Sequence, residues 1–447
     1  MYTIRKRLNI NTIIEWLSNQ RSQSDLKTSD FSFADCSPWI LRNGKICRED
    51  QSFFSVIGLT QKTNQSFVQC YIDQPEIGIL AFVLTIVDEQ VCIVLQAKEE
   101  PGNIEITQIS PTIQATFSNY KQKHGGKPTK YLSHVLNPNQ ETSFINDSLQ
   151  SEHGTKFYQK RNRNVVVFDS KLQLDESETY LLAQLEVVLA LIDLDYAINT
   201  DARSVLASCD WKSLLCGTRL AFSKQNNQIT ASLFDSFHNH ADNSEIEFRE
   251  SIKLLQDSRK EYSPKAIITD MTQKFIDSPD FSHQIKFINV TSSRREVEVW
   301  NQPIYQSSFV EKHILICSIV DYRMEFLIKV SPELGLASGV EFGPTFSFTD
   351  QKDVEELNPH FKYFKDNGLT ELIAVNQSDE GGRFFKNVAA YEIHQIPSAS
   401  LGSKIQNYLN SNGYIWVGAK TLNKLLQTQE LTNNELRSVS SLIMKWL

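Results

Sequence analysis

The stretch TIVDEQVCIVLQAKEEPGNIEITQISPT, residues 85–112, is repeated in altered form as SIVDYRMEFLIKVSPELGLASGVEFGPT, residues 318–345. The two stretches align without a gap, and Pro111-Thr112 falls on Pro344-Thr345, an offset of 233 residues. An Ile-Val-Asp triplet near the start of each stretch obeys the same offset. Internal similarity of this length indicates a duplicated structural unit. The sequence therefore predicts two related domains.

Further matches follow in the same order along the chain. QSEHG at residues 150–154 aligns with QSDEG at residues 377–381, and INTDARSVL at 198–206 aligns with IWVGAKTLN at 415–423. These matches predict the domain borders. We expect an N-terminal helical segment at residues 1–27, a first repeat at 28–222, a linker at 223–264 and a second repeat at 265–447.

Apolar, β-branched runs place strands in both repeats. Residues 79–87 and 91–95 predict a β-hairpin, which the second stretch repeats. RNVVVF at 163–168 predicts a further strand, whereas leucines at helical spacing predict a helix over 180–194. Strands followed by helices in each repeat predict the α+β class, arranged in α/β/α layers.

The composition is that of an ordinary globular chain. It has 447 residues, of which 40% are hydrophobic and 22% charged, and its formal net charge is −8. The acidic balance argues against a nucleic-acid-binding protein. We find no apolar run of membrane-spanning length and no signal peptide, and we expect a cytoplasmic protein. Seven cysteines without a CxxC pair predict reduced thiols and no zinc site.

Three segments carry residues that are suited to chemistry. QAKEEPGN at 96–103 leaves a strand with a lysine beside two glutamates, which could shift one another's pKa for acid–base work. SPTIQATFSNY at 110–120 offers hydroxyl and amide donors for a sugar, with Tyr120 as an acid or oxyanion donor. QSEHGTKFYQKRNRN at 150–164 offers guanidinium groups for a phosphate and His153 as an acid or base.

Each segment also has a simpler interpretation. They could be a solvated charged turn, an ordinary Ser/Thr/Asn loop and a basic surface face, respectively. The chain lacks the GxGxxG, GxxxxGK[ST], GxSxG and HExxH motifs. Residue types and spacing alone therefore indicate a duplicated α+β protein with an anionic ligand.

In combination, these strings resemble the NDP-hexose 2,3-dehydratase family. The likeness rests on LQAKEEPGN, SPTIQATFSNY, QSEHGTKFYQKRNRNVVV and INTDARSVL in the first half, and on VEFGPT, NQSDEGGRFF and REVEVWNQP in the second. It spans about residues 28–447. The resemblance implies two tandem duplicated domains of Nudix-like topology, a homodimer, and a reaction without a metal or redox cofactor.

The resemblance also implies a reaction. Family members remove the C2 hydroxyl of dTDP-4-keto-6-deoxyglucose by C3 deprotonation and β-elimination, which gives a 3,4-diketo-2,6-dideoxy sugar in deoxysugar biosynthesis. A downstream 3-ketoreductase is then expected to consume this product. Two alternatives remain open at this point: a Nudix-like nucleotide-sugar hydrolase and a non-catalytic sugar-nucleotide-binding protein. The glycine and Arg-Glu spacing of a Nudix catalytic box are missing upstream of Glu99-Glu100-Pro101-Gly102, which argues against the hydrolase.

Residue roles follow from the matching strings. In the second repeat Lys98-Glu99 becomes Ser331-Pro332, so we expect the first repeat to hold the active pocket and the second to be degenerate. The resemblance assigns the proton transfers and enolate stabilisation first to Tyr120 and Asn119, and then to Lys98, Glu99 and Glu100. The substrate-binding residues that it implies are Trp39, Gln96, Thr116, Phe117, Ser118, His153, Arg161, Asn162, Trp300 and Arg383.

Overall fold

A computed structural model describes residues 8–61, 64–121, 128–174, 177–215, 227–238, 241–262, 266–270, 283–295, 297–349 and 358–447. The protein is of the mixed α+β class. Its first half forms α1 (Ile10–Ser22), β1 (Lys27–Asp30), β2 (Trp39–Arg42), β3 (Lys45–Arg48), β4 (Ser55–Gln61), β5 (Asn64–Asp73), β6 (Gly78–Val87), β7 (Gln90–Glu99), β8 (Thr107–Ser110), β9 (Ile113–Ala115), α2 (Phe117–Tyr120), α3 (Ser133–Leu136), β10 (Thr142–Ser151), β11 (Phe157–Tyr158), β12 (Arg161–Asp169), β13 (Tyr180–Gln184), α4 (Leu185–Leu189), α5 (Thr200–Ala207) and α6 (Trp211–Leu214).

The second half continues the alternation of strands and helices. It forms α7 (Gln228–His238), α8 (Ala241–Glu261), β14 (Ala266–Thr269), β15 (His283–Thr291), β16 (Val299–Ser307), β17 (Glu311–Val320), β18 (Arg323–Pro332), β19 (Val340–Gly343), β20 (Phe346–Phe348), α9 (Pro359–Asp366), β21 (Thr370–Ser378), β22 (Val388–Gln395), α10 (Ser403–Ser411), β23 (Tyr414–Gly418), α11 (Ala419–Gln427) and α12 (Asn434–Ser440).

Two seven-stranded sheets have the same strand order. The first runs β10-β12-β6-β7-β13, with β8 paired to β7 and β9 to β6. The second runs β21-β22-β17-β18-β23, with β19 paired to β18 and β20 to β17. In each sheet one neighbouring pair, β12 with β6 and β22 with β17, is parallel. The predicted strands at 79–87, 91–95 and 163–168 are confirmed within β6, β7 and β12.

The Pro-Thr motif of each repeated stretch ties strands together. The hydroxyl of Thr112 donates to the carbonyl oxygen of Val94 and accepts from the amide of Val83. Thr345 makes the equivalent pair of bonds between β17 and β18. A buried hydroxyl needs such partners, so the motif has a structural function in both sheets.

One predicted internal match is wrong. Ile198, just before α5, forms a parallel bridge with Ile109, whereas the equivalent bridge in the second half joins Thr432 to Phe342 just before α12. Residues 414–418 form β23, which pairs with β18 as β13 pairs with β7. The counterpart of INTDARSVL is therefore TNNELRSVS at 432–440, not the stretch at 415–423.

The helix predicted over 180–194 is also wrong in part. Residues 180–184 form strand β13 at the edge of the first sheet, and only 185–189 are α-helical. Leu181 lies opposite Leu95 in the antiparallel register with β7. The edge of β7 offers unpaired backbone groups, and pairing with them outweighs the helical preference of these residues, because intrinsic propensity is a weak determinant beside tertiary contacts.

Two smaller sheets complete the fold. One has the order β11-β5-β4-β3-β2, with β14 paired to β4, and the other has the order β1-β15-β16. The segment predicted as a linker carries α7 and α8. Both pack on the second half: Ser236 of α7 donates to the carbonyl oxygen of Met324, and Glu247 of α8 pairs with Arg323. None of the helices among the described residues is long and apolar enough to span a membrane.

The two halves contact each other reciprocally. The amide of Gly102 donates to the carbonyl oxygen of Gly381 over 2.8 Å, and the amide of Gly335 donates to that of Gly154 over 2.8 Å. A Cβ at either position would collide with the facing backbone, at Phe384 or Phe157, so only glycine permits this approach. Side chains of both seven-stranded sheets also share one hydrophobic core. The halves therefore form one packed body.

Candidate functional site

A cavity of about 620 Å³ lies where the first seven-stranded sheet meets the two smaller sheets and the loop at residues 380–383. This volume is typical of a small-molecule site. Three acidic side chains line it: Glu100 at the end of β7, Asp201 on α5 and Glu380 from the second half. We call these three residues the carboxyl cluster. Five basic and four aromatic side chains are among the other lining residues.

Glu100 is held by an amide. Its side chain is 4% exposed and accepts a hydrogen bond of 3.1 Å from Gln114 Nε2. Gln114 in turn accepts one of 3.0 Å from Asn199, and its backbone oxygen accepts one of 2.7 Å from Lys98 Nζ. Burial raises the pKa of Glu100, although Lys98 opposes this shift. A buried carboxylate with a raised pKa beside a lysine is suited to acting as a base.

Asp201 lies in the first turn of α5. The side chain of Asn199 caps this helix by accepting from the amide of Ala202 over 2.9 Å. Asp201 is 3% exposed, and no described residue gives its carboxyl group a hydrogen bond or ion pair. Burial raises its pKa well above the usual value, and the nearby carboxylates of Glu380, Glu152 and Glu100 add to this shift. This shift favours the neutral form of the carboxyl group of Asp201, whose side chain lines the cavity.

Four aromatic side chains line another part of the cavity: Trp39, Phe53, Phe54 and Trp300, here called the aromatic group. Trp39 donates to the carbonyl oxygen of Asn301 over 2.7 Å and packs against Phe54 at 4.9 Å between ring centroids. The hydrogen bond satisfies the polar edge of the indole, which is 4% exposed and contributes an aromatic surface to the cavity wall.

Cationic side chains accompany the aromatic group. Arg383 lies 4.3 Å from the ring centroid of Phe54, Arg48 lies 5.0 Å from that of Phe53, and Arg295 lies 5.9 Å from that of Trp300. These three arginines line the cavity. Guanidinium groups next to aromatic rings match a ligand with a planar base and phosphates.

Nine of the predicted site residues come together in this cavity. The structure places them on elements that are far apart in the sequence, from β2 to the loop after β21. They are Trp39, Lys98, Glu100, Thr116, Ser118, Asn119, Asn162, Trp300 and Arg383.

Two predicted residues near Glu100 lie outside the lining. Glu99 projects to the opposite face of β7, where it pairs with Arg294 at 3.1 Å and accepts from Ser292. Gln96 accepts a hydrogen bond from Ser110 across the neighbouring strand pair. The alternation of side chains along a strand explains the position of Glu99, because adjacent side chains point to opposite faces.

Two aromatic residues that were predicted as site residues, Phe117 and Tyr120, lie on α2 and outside the lining. Phe117 and Tyr120 contact each other edge to face at 5.2 Å, and Tyr120 packs against a hydrophobic cluster that contains Ile79 and Val165. Burial raises the pKa of Tyr120 and the nearby Glu76 adds to this. The cavity therefore receives Ser118 and Asn119 from this helix.

The predicted basic cluster is dispersed along β12 and the turn before it. Arg161 pairs with Glu430 at 3.0 Å and Arg163 with Asp147, both outside the lining. Lys160 alone among the cluster's residues lines the cavity, where it donates to the carbonyl oxygen of Glu76. Strand alternation again separates residues that are neighbours in the sequence.

In the second half, the corresponding place is filled by ion pairs that join side chains of both halves. Glu311 takes the position of Gly78 in the sheet register and pairs with the buried Lys156 at 2.8 Å. Glu435 takes the position of Asp201 after the helix cap and lies 2.8 Å from Nδ1 of His153. His153 was a predicted substrate-binding residue, and it belongs to this buried ionic network, not to the cavity.

One group of described residues has metal-ligand geometry. Glu371, Glu392 and His394 bring their ligand atoms within 4.8 Å of one another on β21 and β22. Lys312 already pairs with Glu392 at 3.2 Å, and none of these residues lines the cavity.

Sequence reasoning missed several cavity residues, above all Asp201 and Glu380. Both stand inside strings that were read as family matches, INTDARSVL and NQSDEGGRFF. An acidic residue two positions after an asparagine cap was the available signal for Asp201. The sequence contains no comparable signal for Glu380, because only tertiary packing places this residue of the second half at the cavity of the first half.

Comparison with known proteins gives a consistent result. The sequence profile described as "NDP-hexose 2,3-dehydratase" matches residues 10–209 and 251–443. A dTDP-4-dehydro-6-deoxy-alpha-D-glucopyranose 2,3-dehydratase of Streptomyces violaceoruber is 31% identical over 77% of this chain and 77% of its own length. Enzymes of the same description are 27% identical in Saccharopolyspora spinosa, over 96% of this chain and 90% of the relative, and 26% identical in Amycolatopsis orientalis, over 96% and 88%.

Proposed function

Since the chain belongs to the NDP-hexose 2,3-dehydratase family and is thus a hydro-lyase, we propose that it removes water from dTDP-4-keto-6-deoxyglucose. The product is a 3,4-diketo-2,6-dideoxy sugar for deoxysugar biosynthesis. The observation that carries this proposal is one cavity that combines the carboxyl cluster with aromatic and guanidinium groups. Such a site suits a sugar nucleotide that undergoes proton transfer.

The nucleotide part of the substrate is assigned to the aromatic group and the arginines. Trp39 packs on the thymine face, and Arg383 and Arg295 bind the diphosphate. Supporting this assignment, Arg383 is oriented by Gln74, which accepts from its Nε over 3.1 Å. Lys160, with its Nζ directed to Glu76, adds a further positive charge. A planar guanidinium matches diphosphate oxygens in a bidentate manner.

The sugar part is assigned to the region around Glu100. The C4 ketone acidifies the C3 proton, which the carboxylate of Glu100 removes to give an enolate. The ammonium group of Lys98 and the amide of Asn119 stabilise the developing charge on the C4 oxygen. A positioned base contributes about 10²–10⁴-fold to the rate, and oxyanion donors add about 10²–10³-fold. Tyr120, the first choice from the sequence, has no role here because it lies outside the lining.

We also propose that the halves are tandem duplicated domains of Nudix-like topology, with borders near 28–222 and 265–447. The identical strand orders of the two seven-stranded sheets support this. The second domain is degenerate: Lys156, Glu311, His153 and Glu435 fill the place that is open in the first. Only the first domain then binds substrate.

A homodimer and a downstream 3-ketoreductase remain part of the proposal. The diketo product carries a reactive ketone at C3, and its reduction gives a stable sugar. Light scattering on the purified protein measures the oligomeric state directly.

Incubation with dTDP-4-keto-6-deoxyglucose and a 3-ketoreductase tests the proposed function. We expect a dTDP-2,6-dideoxy sugar in the complete mixture and none when the protein is omitted. Release of dTMP would instead indicate a hydrolase. Binding of dTDP without any turnover would indicate a non-catalytic binding protein.

A further inference from the structure

We propose that Asp201 is the catalytic acid that protonates the C2 hydroxyl of the substrate as it leaves. This inference rests on the proposed function and adds a residue to it. Elimination requires two groups: a base at C3 and a proton donor at the C2 oxygen, because hydroxide is a poor leaving group. Glu100 accounts only for the first.

The position of Asp201 fits the second group. Its side chain lines the cavity, yet it is 3% exposed. None of the described residues donates to its carboxyl oxygens or forms an ion pair with them. A buried polar group without a protein partner costs free energy. A substrate hydroxyl in the cavity would supply the missing partner.

A short hydrogen-bonded chain fixes Asp201 relative to Glu100. Gln114 donates to Glu100 over 3.1 Å and accepts from Asn199 over 3.0 Å. Asn199 is the cap of the helix that carries Asp201 two residues later. The same chain of amides therefore positions both carboxyl groups. Groups fixed in this way can transfer protons at adjacent carbons of one substrate.

The second half provides an internal comparison. Glu435 follows the cap Asn433 as Asp201 follows Asn199, and it is buried to the same extent. There His153 lies 2.8 Å from the carboxylate and keeps it ionised, with a pKa lowered to about 2. No histidine among the described residues forms such a contact with Asp201, and burial together with Glu380, Glu152 and Glu100 raises its pKa, whereas Lys98 opposes this shift. At the same position in the fold, Glu435 thus forms an ion pair in the second half, whereas Asp201 is the proton donor in the first half.

The proposed steps balance in protons and electrons. Glu100 takes the C3 proton, and the C–H electron pair gives the enolate. The enolate then expels the C2 hydroxyl, a C2=C3 double bond forms, and the proton of Asp201 converts the hydroxyl to water. The resulting enol receives a proton at C2 from Glu100 and gives its C3 hydroxyl proton to Asp201. Both carboxyl groups return to their first states, and the net change is loss of one water.

Asp201→Asn separates the two proton transfers. In D₂O, we expect this variant to exchange the C3 proton of the substrate for deuterium, which NMR measures. Product formation should fall about 100-fold or more. Affinity for dTDP should stay within threefold of wild type. The control is Asp88→Asn, the same chemical change at an exposed hairpin turn on the first sheet, which should leave both rates unchanged.

Two results would overturn the assignment. One is product formation by Asp201→Asn at the wild-type rate. The other is an equal loss of exchange and product with dTDP binding intact, because Asp201 would then act at C3. If the asparagine variant does not fold, Asp201→Ser is read in the same way. A wild-type protein that forms no product from this substrate would reject the proposed function itself, which separates that failure from a failure of the Asp201 assignment.

Discussion

Asp201 and Glu435 occupy equivalent positions in two helices of the same molecule, and within the described part of the chain only Glu435 has a basic partner. Each follows an asparagine cap by two residues, and each is buried. His153 lies 2.8 Å from Glu435, whereas Asp201 faces the cavity. This difference divides the molecule into a half with an open site and a half whose site is filled.

Glu100→Gln should abolish the first chemical step. The amide keeps the volume and can still bond to Gln114, but it cannot accept the C3 proton. We expect both C3 exchange in D₂O and product formation to fall about 10²–10⁴-fold. Glu105→Gln, at a glutamate that is 47% exposed, is the matched control and should retain full activity. Retention of C3 exchange in Glu100→Gln would show that another group is the base.

The chain should bind one dTDP. Among the described residues, the paired side chains of Lys156 and Glu311 occupy the place in the second half that corresponds to the cavity. Isothermal titration should therefore give a stoichiometry of one per chain. Trp39→Ala should weaken the affinity about tenfold through lost stacking, and Trp39→Phe should restore most of it. A stoichiometry of two, or an unaltered affinity of Trp39→Ala, would contradict this assignment.

Gly102→Ser should destabilise the contact between the halves. Its Cβ would overlap the carbonyl oxygen of Phe384, which is backbone and cannot move freely. We expect a loss of about 2–4 kcal/mol in the free energy of unfolding, measured in urea. Gly402→Ser introduces the same side chain where no atom lies within 4 Å and should cost nothing. Equal stability of both variants would mean that the close approach at Gly102 is not required.

Glu341 should make stability depend on pH. Burial raises its pKa to about 7 in the folded protein, whereas the unfolded chain has the ordinary value of about 4.3. As pH rises, the unfolded state therefore releases this proton before the folded state does. The contribution of Glu341 to the free energy of unfolding decreases as pH rises from about 4.3 to about 7. The loss is on the order of 3 kcal/mol and is complete above the folded pKa.

Glu341→Gln removes this titration and keeps an amide oxygen for the bond from Ser151. The equivalent residue of the first half is already a glutamine, Gln108, which bonds to Ser378. Urea denaturation at pH 5 and pH 8 should show that the variant gains stability relative to wild type at the higher pH. Identical pH dependence of the two proteins would refute the assigned titration.

The sequence alone predicted the mixed α+β class and several strands, because apolar, β-branched runs mark these strands in both halves. The hairpin at 79–95 and its repeat were predictable from apolar, β-branched runs. The strand at 180–184 was not predictable in this way, because its leucines suit a helix. Its extended conformation depends on pairing with β7. The misplaced match for 198–206 has a similar cause: similarity over nine residues is weak, and the bridge from Phe342 to Thr432 identifies the true counterpart.

The site was predictable only where a motif and the cavity coincide. Lys98 and Glu100 line the cavity because alternate residues at the end of β7 face it, and the same alternation directs Glu99 to the opposite side. Arg161 looked like a phosphate ligand, yet its ion-pair partner, Glu430, lies 269 residues away in the sequence. No local pattern encodes such long-range pairing.

The central claim is that the cavity removes the C2 hydroxyl of a dTDP-linked 4-keto sugar. The most direct test uses dTDP-4-keto-6-deoxyglucose that carries ¹⁸O in the C2 hydroxyl, with mass spectrometry of the product after borohydride reduction. We predict a dTDP-linked sugar that has lost the label completely, and no loss with Asp201→Asn within the same time. A sugar that retains the label while the wild-type protein turns it over, or release of dTMP, would contradict the account.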